Sequence, residues 1–319
     1  MPALAIDTAH AIDAITGYLQ DIVRTSGTDG VVLGLSGGLD SSVMAALAVR
    51  ALGPGAVKVA YIFDPDSDRD IAANARLMAD FLGLELEVMD ISDEMRQRGV
   101  YAPLFIKLLR LSPVVAKIST GSYRLICGES PFKSTLRDGG GETLRPWYKR
   151  LMFNMTMHQV DMGFAERHRF RRQALEAIAK QRNLFLIGAA NLSEYEVGWF
   201  VKDGIDDLPV QPMTGLFKTQ VRQLAKALDL PEPVRAQLPS PDMAKGVSDE
   251  FGIGHDYSDI DLVIDGFDRG LSDPEIAALG IAQREIDDIR DLMRLSVWKR
   301  QSPHEEPPVS GRFGSSLRR

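Results

Sequence analysis

The 319-residue sequence lacks the features that mark secreted and membrane proteins. It contains one cysteine, Cys127, so no disulfide can form within the chain, and a reducing cytoplasm is the expected location. No stretch approaches the roughly 20 apolar residues that a membrane-spanning helix needs. The N-terminus has no basic segment followed by an apolar run, so we expect no signal peptide.

Basic residues are also few. The formal net charge is −7, which argues against a nucleic-acid partner, because phosphate backbones attract basic surfaces. Small anionic ligands are still possible, since they need only a few local cations. Hydrophobic residues make up 45% and charged residues 25%, a composition typical of a globular protein with one large or two small domains.

The first third of the chain alternates between helical and strand patterns. Short β-branched apolar runs indicate buried strands, and apolar residues at helical spacing indicate helices between them. This order predicts an α/β fold in which helices flank a parallel sheet. The predicted helices are 8–24, 41–52 and 68–82, and the predicted strands are 31–35, 57–63 and 84–91.

The rest of the chain is less regular. Weak periodicity and the glycine run 139–141 predict loops with some helix over 92–163, which we interpret as an insertion or lid. We expect residues 1–305 to form a single domain and 306–319 a flexible tail. The other predicted elements are a strand at 184–188 and helices at 164–182, 218–228, 256–268 and 283–300.

One loop carries the clearest chemical signal. It follows a predicted strand and precedes a predicted helix, where unpaired amides can hold a phosphate. Adjacent glycines let its backbone approach a ligand, and Asp40 predicts a Mg²⁺ ion between carboxylate and phosphate oxygens. A glycine turn with a serine helix cap would explain the glycines but not the complete string. The loop comprises Gly34, Leu35, Ser36, Gly37, Gly38, Leu39, Asp40, Ser41 and Ser42.

Neither the Walker pattern nor the dinucleotide-binding glycine pattern fits this loop. It resembles instead the loop of the N-type ATP pyrophosphatases, which split ATP between its α and β phosphates. Three later stretches, 186–194, 214–222 and 248–261, resemble ammonia-dependent NAD synthetases, as does Lys299-Arg300 near the end of the chain. The resemblance covers roughly 5–90 and 164–305.

The resemblance implies a fold, a reaction and partners. The fold is a Rossmann-like parallel sheet flanked by helices, similar to the adenine nucleotide alpha hydrolases. The reaction is an ATP-dependent amidation: nicotinate adenine dinucleotide becomes an acyl-adenylate, which ammonia converts to NAD with release of AMP. Members of the family are homodimers.

The resemblance also assigns roles at the ATP end. Asp40 and Glu194 correspond to magnesium ligands, and Lys218 to the lysine that binds the triphosphate. Ser240 falls where the family places a hydroxyl on the phosphates. Ala189 occupies an ATP-binding position at which the family has threonine. Asp40 and Lys218 are therefore the candidate catalytic residues.

For the acid substrate, the resemblance implies four binding residues: Arg169, Lys202, Asp207 and Lys299. This half departs more from the family pattern. The family's histidine before Lys299 is Trp298 here, and Arg169 is one of five arginines between 167 and 182.

Three other interpretations stay open at this stage. A ligase with the same ATP chemistry could amidate a different carboxylate. A sulfur transferase or tRNA-modifying enzyme would need further cysteines and a basic surface, and the sequence has neither. A non-catalytic ATP sensor would have no need of two metal carboxylates.

Overall fold

The computed structural model describes residues 4–240 and 248–308, and in this part of the chain it contains a four-stranded parallel sheet. The strand order is β3-β2-β1-β4, with Val31 of β1 paired to Val57 of β2 and to Phe185 of β4. The predicted α/β fold is confirmed. The strands are β1 (Val31–Gly34), β2 (Val57–Phe63), β3 (Leu86–Asp90) and β4 (Phe185–Leu186).

The central strand β1 is buried on both faces. Leu33 packs into a cluster with the first two helices, while Val32 packs into a second cluster with Leu175 and Ile178 of a later helix. Strands β2 and β3 lie on one side of β1 and β4 on the other, so the connections diverge at the edge of β1. Ligands of parallel sheets bind at such a switch point, outside the carboxyl ends of the strands.

Sixteen helices surround this sheet in the described residues. The early ones match the predicted ranges within about two residues, as expected for elements with strong periodicity. They are α1 (Thr8–Ser26), α2 (Leu39–Leu52), α3 (Arg69–Leu82), α4 (Ser92–Gln97), α5 (Leu104–Leu109), α6 (Pro113–Cys127), α7 (Pro131–Gly139), α8 (Trp147–Met155), α9 (Met157–Gln181), α10 (Leu192–Val197), α11 (Lys218–Ala227), α12 (Glu232–Arg235), α13 (Asp249–Ile253), α14 (Tyr257–Asp268), α15 (Asp273–Ala277) and α16 (Gln283–Leu295).

The segment 92–163 is mostly helical, in contrast to the loops that the weak periodicity predicted. Apart from α6, the helices between 92 and 155 have nine residues or fewer, and several keep apolar side chains on their outer surface, so they are hard to recognise from sequence periodicity. Several contacts tie the segment to the rest of the chain. Trp298 Nε1 donates to the carbonyl of Leu136 over 3.0 Å, and Arg110 Nε lies 2.7 Å from an Asp66 oxygen beyond β2.

The last described residues contact the segment that follows α10. Glu305 forms a parallel bridge with Val210, and His304 Nε2 lies 3.1 Å from Asp207 Oδ1. Most of the predicted flexible tail, 309–319, lies outside the described residues. Among those described, no helix is long and apolar enough to cross a membrane.

Gly37, directly after β1, has a packing that only glycine can satisfy. Its φ is +87°, and a Cβ there would lie 2.1 Å from the Ile71 carbonyl oxygen and 2.7 Å from the Ala75 nitrogen of α3. We predict that Gly37→Ala lowers the free energy of unfolding by more than about 2 kcal/mol, because both strain and a backbone clash arise. Chemical denaturation measures this loss.

A matched control is Gly17→Ala inside α1. No described atom lies within 4 Å of a Cβ at Gly17, and alanine favours helix, so this change is expected to stabilise by about 0.5–1 kcal/mol. A Gly37→Ala protein as stable as the wild type would contradict the close packing of the loop on α3.

Candidate active site at the carboxyl edge of the sheet

The loop after β1 is organised by its serines. Ser36 Oγ and Ser41 Oγ lie 3.0 Å apart, and Ser36 Oγ also accepts from the Gly38 amide at 3.2 Å. Ser42 Oγ donates to the Gly38 carbonyl over 2.7 Å, which closes the first turn of α2. These bonds hold the backbone in a tight curve at the positive end of α2, where an anion is favoured.

A cavity of about 740 Å³ opens beside this loop. It brings together most of the residues predicted from the sequence, although these lie far apart along the chain. Gly37 and Ser42 do not line it, because Gly37 packs on α3 and Ser42 is buried within α2. The predicted residues that line it are Gly34, Leu35, Ser36, Gly38, Leu39, Asp40, Ser41, Ala189, Glu194, Lys218, Ser240 and Lys299.

Lys218 joins the two predicted metal carboxylates. It is the first residue of α11 and is almost fully buried. Its Nζ donates to Asp40 Oδ2 and lies 3.0 Å from Glu194 Oε1. Burial alone would lower the pKa of Lys218, but Asp40 and Glu194 outweigh that effect and hold the pKa above its ordinary value. The lysine therefore stays charged.

A third carboxylate, Asp249, faces the same group. Tyr257 OH lies 3.1 Å from Glu194 Oε1 and 3.4 Å from Asp249 Oδ2, and so links the two acids. Burial raises the pKa of Glu194 to about 8 and that of Asp249 to about 6. One lysine does not compensate three ionised acids, so an additional cation would favour the ionised form of Glu194.

Helix ends place these side chains. Asn191 caps α10 by accepting from the Glu194 amide at 3.1 Å, and its Nδ2 donates to Asp40 Oδ1, also at 3.1 Å. Ser193 Oγ accepts from the Lys218 amide at 2.8 Å and donates to Asp261. The two helix starts are thus fixed to each other and to the loop by side-chain bonds.

Lys299 lies at the other end of the cavity. It is buried, and its Nζ donates to the backbone carbonyls of Gly198 and Phe200. Burial lowers the pKa of Lys299 to about 8, against the opposing effect of Asp161. Burial also raises the pKa of Asp161, which lines the cavity nearby.

The other three predicted substrate residues do not line the cavity. Arg169 is exposed on α9. Lys202 Nζ lies 3.0 Å from Asp207 Oδ2, and the buried Asp207 also contacts His304. The neighbouring Asp206 lines the cavity in place of Asp207.

The sequence motifs assign no role to several residues that the fold brings to the site. Asn191, Asp249 and Tyr257 were inside the recognised stretches, so the signal was present but their contacts were not visible. Arg167 and Arg171 lie on the cavity face of α9, two residues to either side of Arg169. A helix-face analysis anchored on the buried Leu175 would have found them.

The family model for NAD synthase matches residues 11–101 and 150–303, which is most of the chain. An NH(3)-dependent NAD(+) synthetase from Rhizobium meliloti is 32% identical over 295 residues, covering 88% of this chain and 86% of the relative.

Two solved structures share the fold. An NMN synthetase from Francisella tularensis has a TM-score of 0.66 at 22% identity, covering 93% of this chain and 97% of that one. An NH3-dependent NAD synthetase from Campylobacter jejuni has a TM-score of 0.60 at 20% identity, covering 94% and 99%. The family model and the Rhizobium meliloti relative show that the chain belongs to the NAD synthase family.

Proposed function

We propose that this protein is an ammonia-dependent NAD synthetase, which uses ATP to amidate nicotinate adenine dinucleotide. The observation that carries the proposal is the joining of Asp40, Glu194 and Lys218 beside the phosphate loop, in a cavity that continues to Lys299. Membership of the NAD synthase family supports the same reaction. The Rhizobium meliloti relative carries that activity in its name.

Mg²⁺ fits the donor set at the ATP end. The described residues contain no cluster of three or more acids, histidines or cysteines able to hold a metal alone. Asp40 and Glu194, however, already converge on one cation, the Lys218 ammonium, and hard carboxylate oxygens are the ligands that Mg²⁺ prefers. Asp40 and Glu194 would hold the ion together with phosphate oxygens. When bound, it would neutralise charge on the triphosphate.

The chain's own residues account for the rest of the reaction. The loop and the start of α2 hold the phosphates, with Ser240 at their side, and Lys218 stabilises charge on the leaving pyrophosphate. A carboxylate oxygen of the acid attacks the α-phosphorus, and the bond to the β-phosphate breaks. Ammonia then attacks the acyl carbon, AMP leaves, and the nitrogen loses a proton. Positioning and charge suffice, so no nucleophilic side chain is needed.

The acid substrate would occupy the Lys299 end. Lys299 lines that end directly, and the pair Lys202–Asp207 lies behind it. Arg169 is exposed on the single chain, so a role for it requires a neighbouring subunit or a substrate that extends beyond the cavity.

A second candidate function is amidation of a different carboxylate. Trp298, which replaces the family's histidine, is bonded to Leu136 of the inserted helix α7. The acid end is therefore built differently from the pattern that the resemblance implies, whereas the ATP end keeps its Asp40, Glu194 and Lys218. An ATP sensor has no comparable support.

We also propose a homodimer, as the family resemblance implies. Apolar side chains line the outer face of α6: Val114, Ile118 and Leu125 are 62%, 63% and 87% exposed at helical spacing. Trp147 of α8, 75% exposed, adds to this surface. A second copy would remove these side chains from water.

The reaction is tested by measuring AMP and NAD formed from ATP, ammonium and nicotinate adenine dinucleotide. Equal amounts of both products are expected. AMP formed only with another acid would support the second candidate. No AMP with any acid would refute both ligase functions and favour a sensor.

Asp40→Asn is expected to lower acid-dependent ATP–pyrophosphate exchange by at least about 100-fold, because it removes one of the two carboxylates proposed to hold the Mg²⁺ ion on the phosphates. The isosteric change should leave the fold intact, since Lys218 keeps its contact with Glu194. Asp13→Asn, on the exposed side of α1, is the matched control. Full exchange activity in Asp40→Asn would overturn the role of this carboxylate.

Sedimentation is expected to give about twice the 35.1 kDa chain mass. Ile118→Glu combined with Leu125→Glu should shift the protein to monomers, because burying two carboxylates in an apolar contact is costly. Leu279→Glu, at a position 44% exposed and distant in sequence, should stay dimeric. A wild-type protein that is monomeric at every concentration would refute the dimer.

A further inference from the structure

One face of α9 forms a wall of the cavity. Val160, Gly163, Phe164, Arg167 and Arg171 all line it, at the spacing of three and four residues that places side chains on one side of a helix. The face is apolar at its beginning and carries two guanidinium groups farther on. The two arginines differ in how their charges are compensated.

Arg167 is neutralised within the protein. Its Nη2 lies 2.6 Å from Asp66 Oδ2 and its Nε 3.2 Å from Asp64 Oδ2, both beyond the end of β2. Its guanidinium also lies 5.1 Å from the centre of the Tyr101 ring. These contacts make Arg167 part of the support for the inserted helices, because Asp66 also binds Arg110.

Arg171 has no such direct ion pair among the described residues. It is only 8% exposed, and its Nε and Nη2 are buried without a hydrogen-bond partner. Within residues 4–240 and 248–308, no carboxylate lies within the 4 Å of its guanidinium that would make an ion pair. A buried charge without a partner costs several kcal/mol, and unsatisfied buried polar groups are rare in native proteins. A side chain kept at this cost in a cavity wall points to a ligand.

The position of Arg171 is close to both parts of the site. Leu175, one helical turn after Arg171, lies beside Gly34, the first residue of the phosphate loop. A Cβ built on Gly34 would be 3.5 Å from the Leu175 side chain. Burial alone would raise the pKa of Asp206, but the charges of His168 and Arg171 outweigh burial and lower it. His168 Nδ1 lies 2.8 Å from Asp206 Oδ2. The same Asp206 acts on Lys299. Arg171 therefore shares its surroundings with the acid end of the cavity.

We propose that Arg171 binds an anionic oxygen group of the acid substrate, and so orients that substrate toward the phosphate loop. The inference rests on the proposed ligase function and adds a residue that the sequence motifs did not assign. A guanidinium presents its donors in a planar fork that matches a carboxylate or a phosphate. The acid dinucleotide offers both groups, its nicotinate carboxylate and its pyrophosphate.

Stability distinguishes ligand binding from a structural role. Because Arg171 is buried and unpaired, Arg171→Met should leave the thermal midpoint of the ligand-free protein unchanged or higher. A structural arginine would instead lower the midpoint by several degrees when removed, and that result would overturn the proposal. Arg182→Gln, on the exposed end of α9 and paired with Glu87, is the matched control.

Binding identifies the group. Calorimetry with nicotinate adenine dinucleotide is expected to show about 10- to 100-fold weaker binding to Arg171→Gln, as for loss of a charged hydrogen bond, while ATP binding changes less than about twofold. NAD carries an amide in place of the carboxylate. If NAD binding also falls, Arg171 binds the pyrophosphate, and if NAD binding is unchanged, it binds the carboxylate.

Failure of this inference differs from failure of the proposed function. A wild-type protein that forms no AMP with nicotinate adenine dinucleotide disproves that substrate, and the same titrations then use nicotinate mononucleotide, a shorter acid with the same ring. The role of Arg171 would be overturned if Arg171→Gln and the wild type bound the same acid equally tightly. Binding of neither acid by the wild type would overturn both.

Discussion

The structure depends most on one buried ammonium group, that of Lys218, among three carboxylates, of which Asp249 is buried and Asp40 and Glu194 are partly buried. Asp40 comes from α2, Glu194 from α10 and Asp249 from α13, while Lys218 begins α11. Removing the ammonium from such a set would leave the carboxylates uncompensated, at a cost of about 3–5 kcal/mol. The interaction therefore holds four helices at one point beside the phosphate loop, and the bonds of Ser193 and Asn191 fix the helix starts around it.

The two ends of the cavity differ in their balance of acidic and basic side chains. At the Lys218 end, acids outnumber the cation, so the site favours a further cation that comes with a nucleotide. At the other end, the Lys299 ammonium donates to two backbone carbonyls, and Arg171 has no acid within ion-pair distance in the described chain, although Asp206 acts on both from farther away. Cations without a directly bonded carboxylate favour an anion. This polarity suits a reaction that joins a metal-bound triphosphate to a carboxylate.

The inserted helices contribute their own side chains to the cavity. The family model leaves out residues 102–149, yet Ile106, Arg110 and Phe132 from that segment line the cavity. Trp298 and the pair Arg110–Asp66 tie the segment to the family's common core. Packing thus accounts for the tryptophan at position 298, because its indole fills a surface that the inserted helices cover.

Local sequence by itself determined the early elements and the candidate phosphate loop. The strands 31–35 and 57–63, the helices between them and the loop with Asp40 were readable because their periodicity, glycines and caps act over a few neighbouring residues. Glu194 and Lys218 were found through the family's motifs. Only the tertiary structure decided which of the arginines on α9 enters the cavity, that Asp206 and not Asp207 lines it, and that 92–163 folds into helices against it. These outcomes depend on which helix face meets the sheet, a contact between residues far apart in the chain that no local pattern encodes.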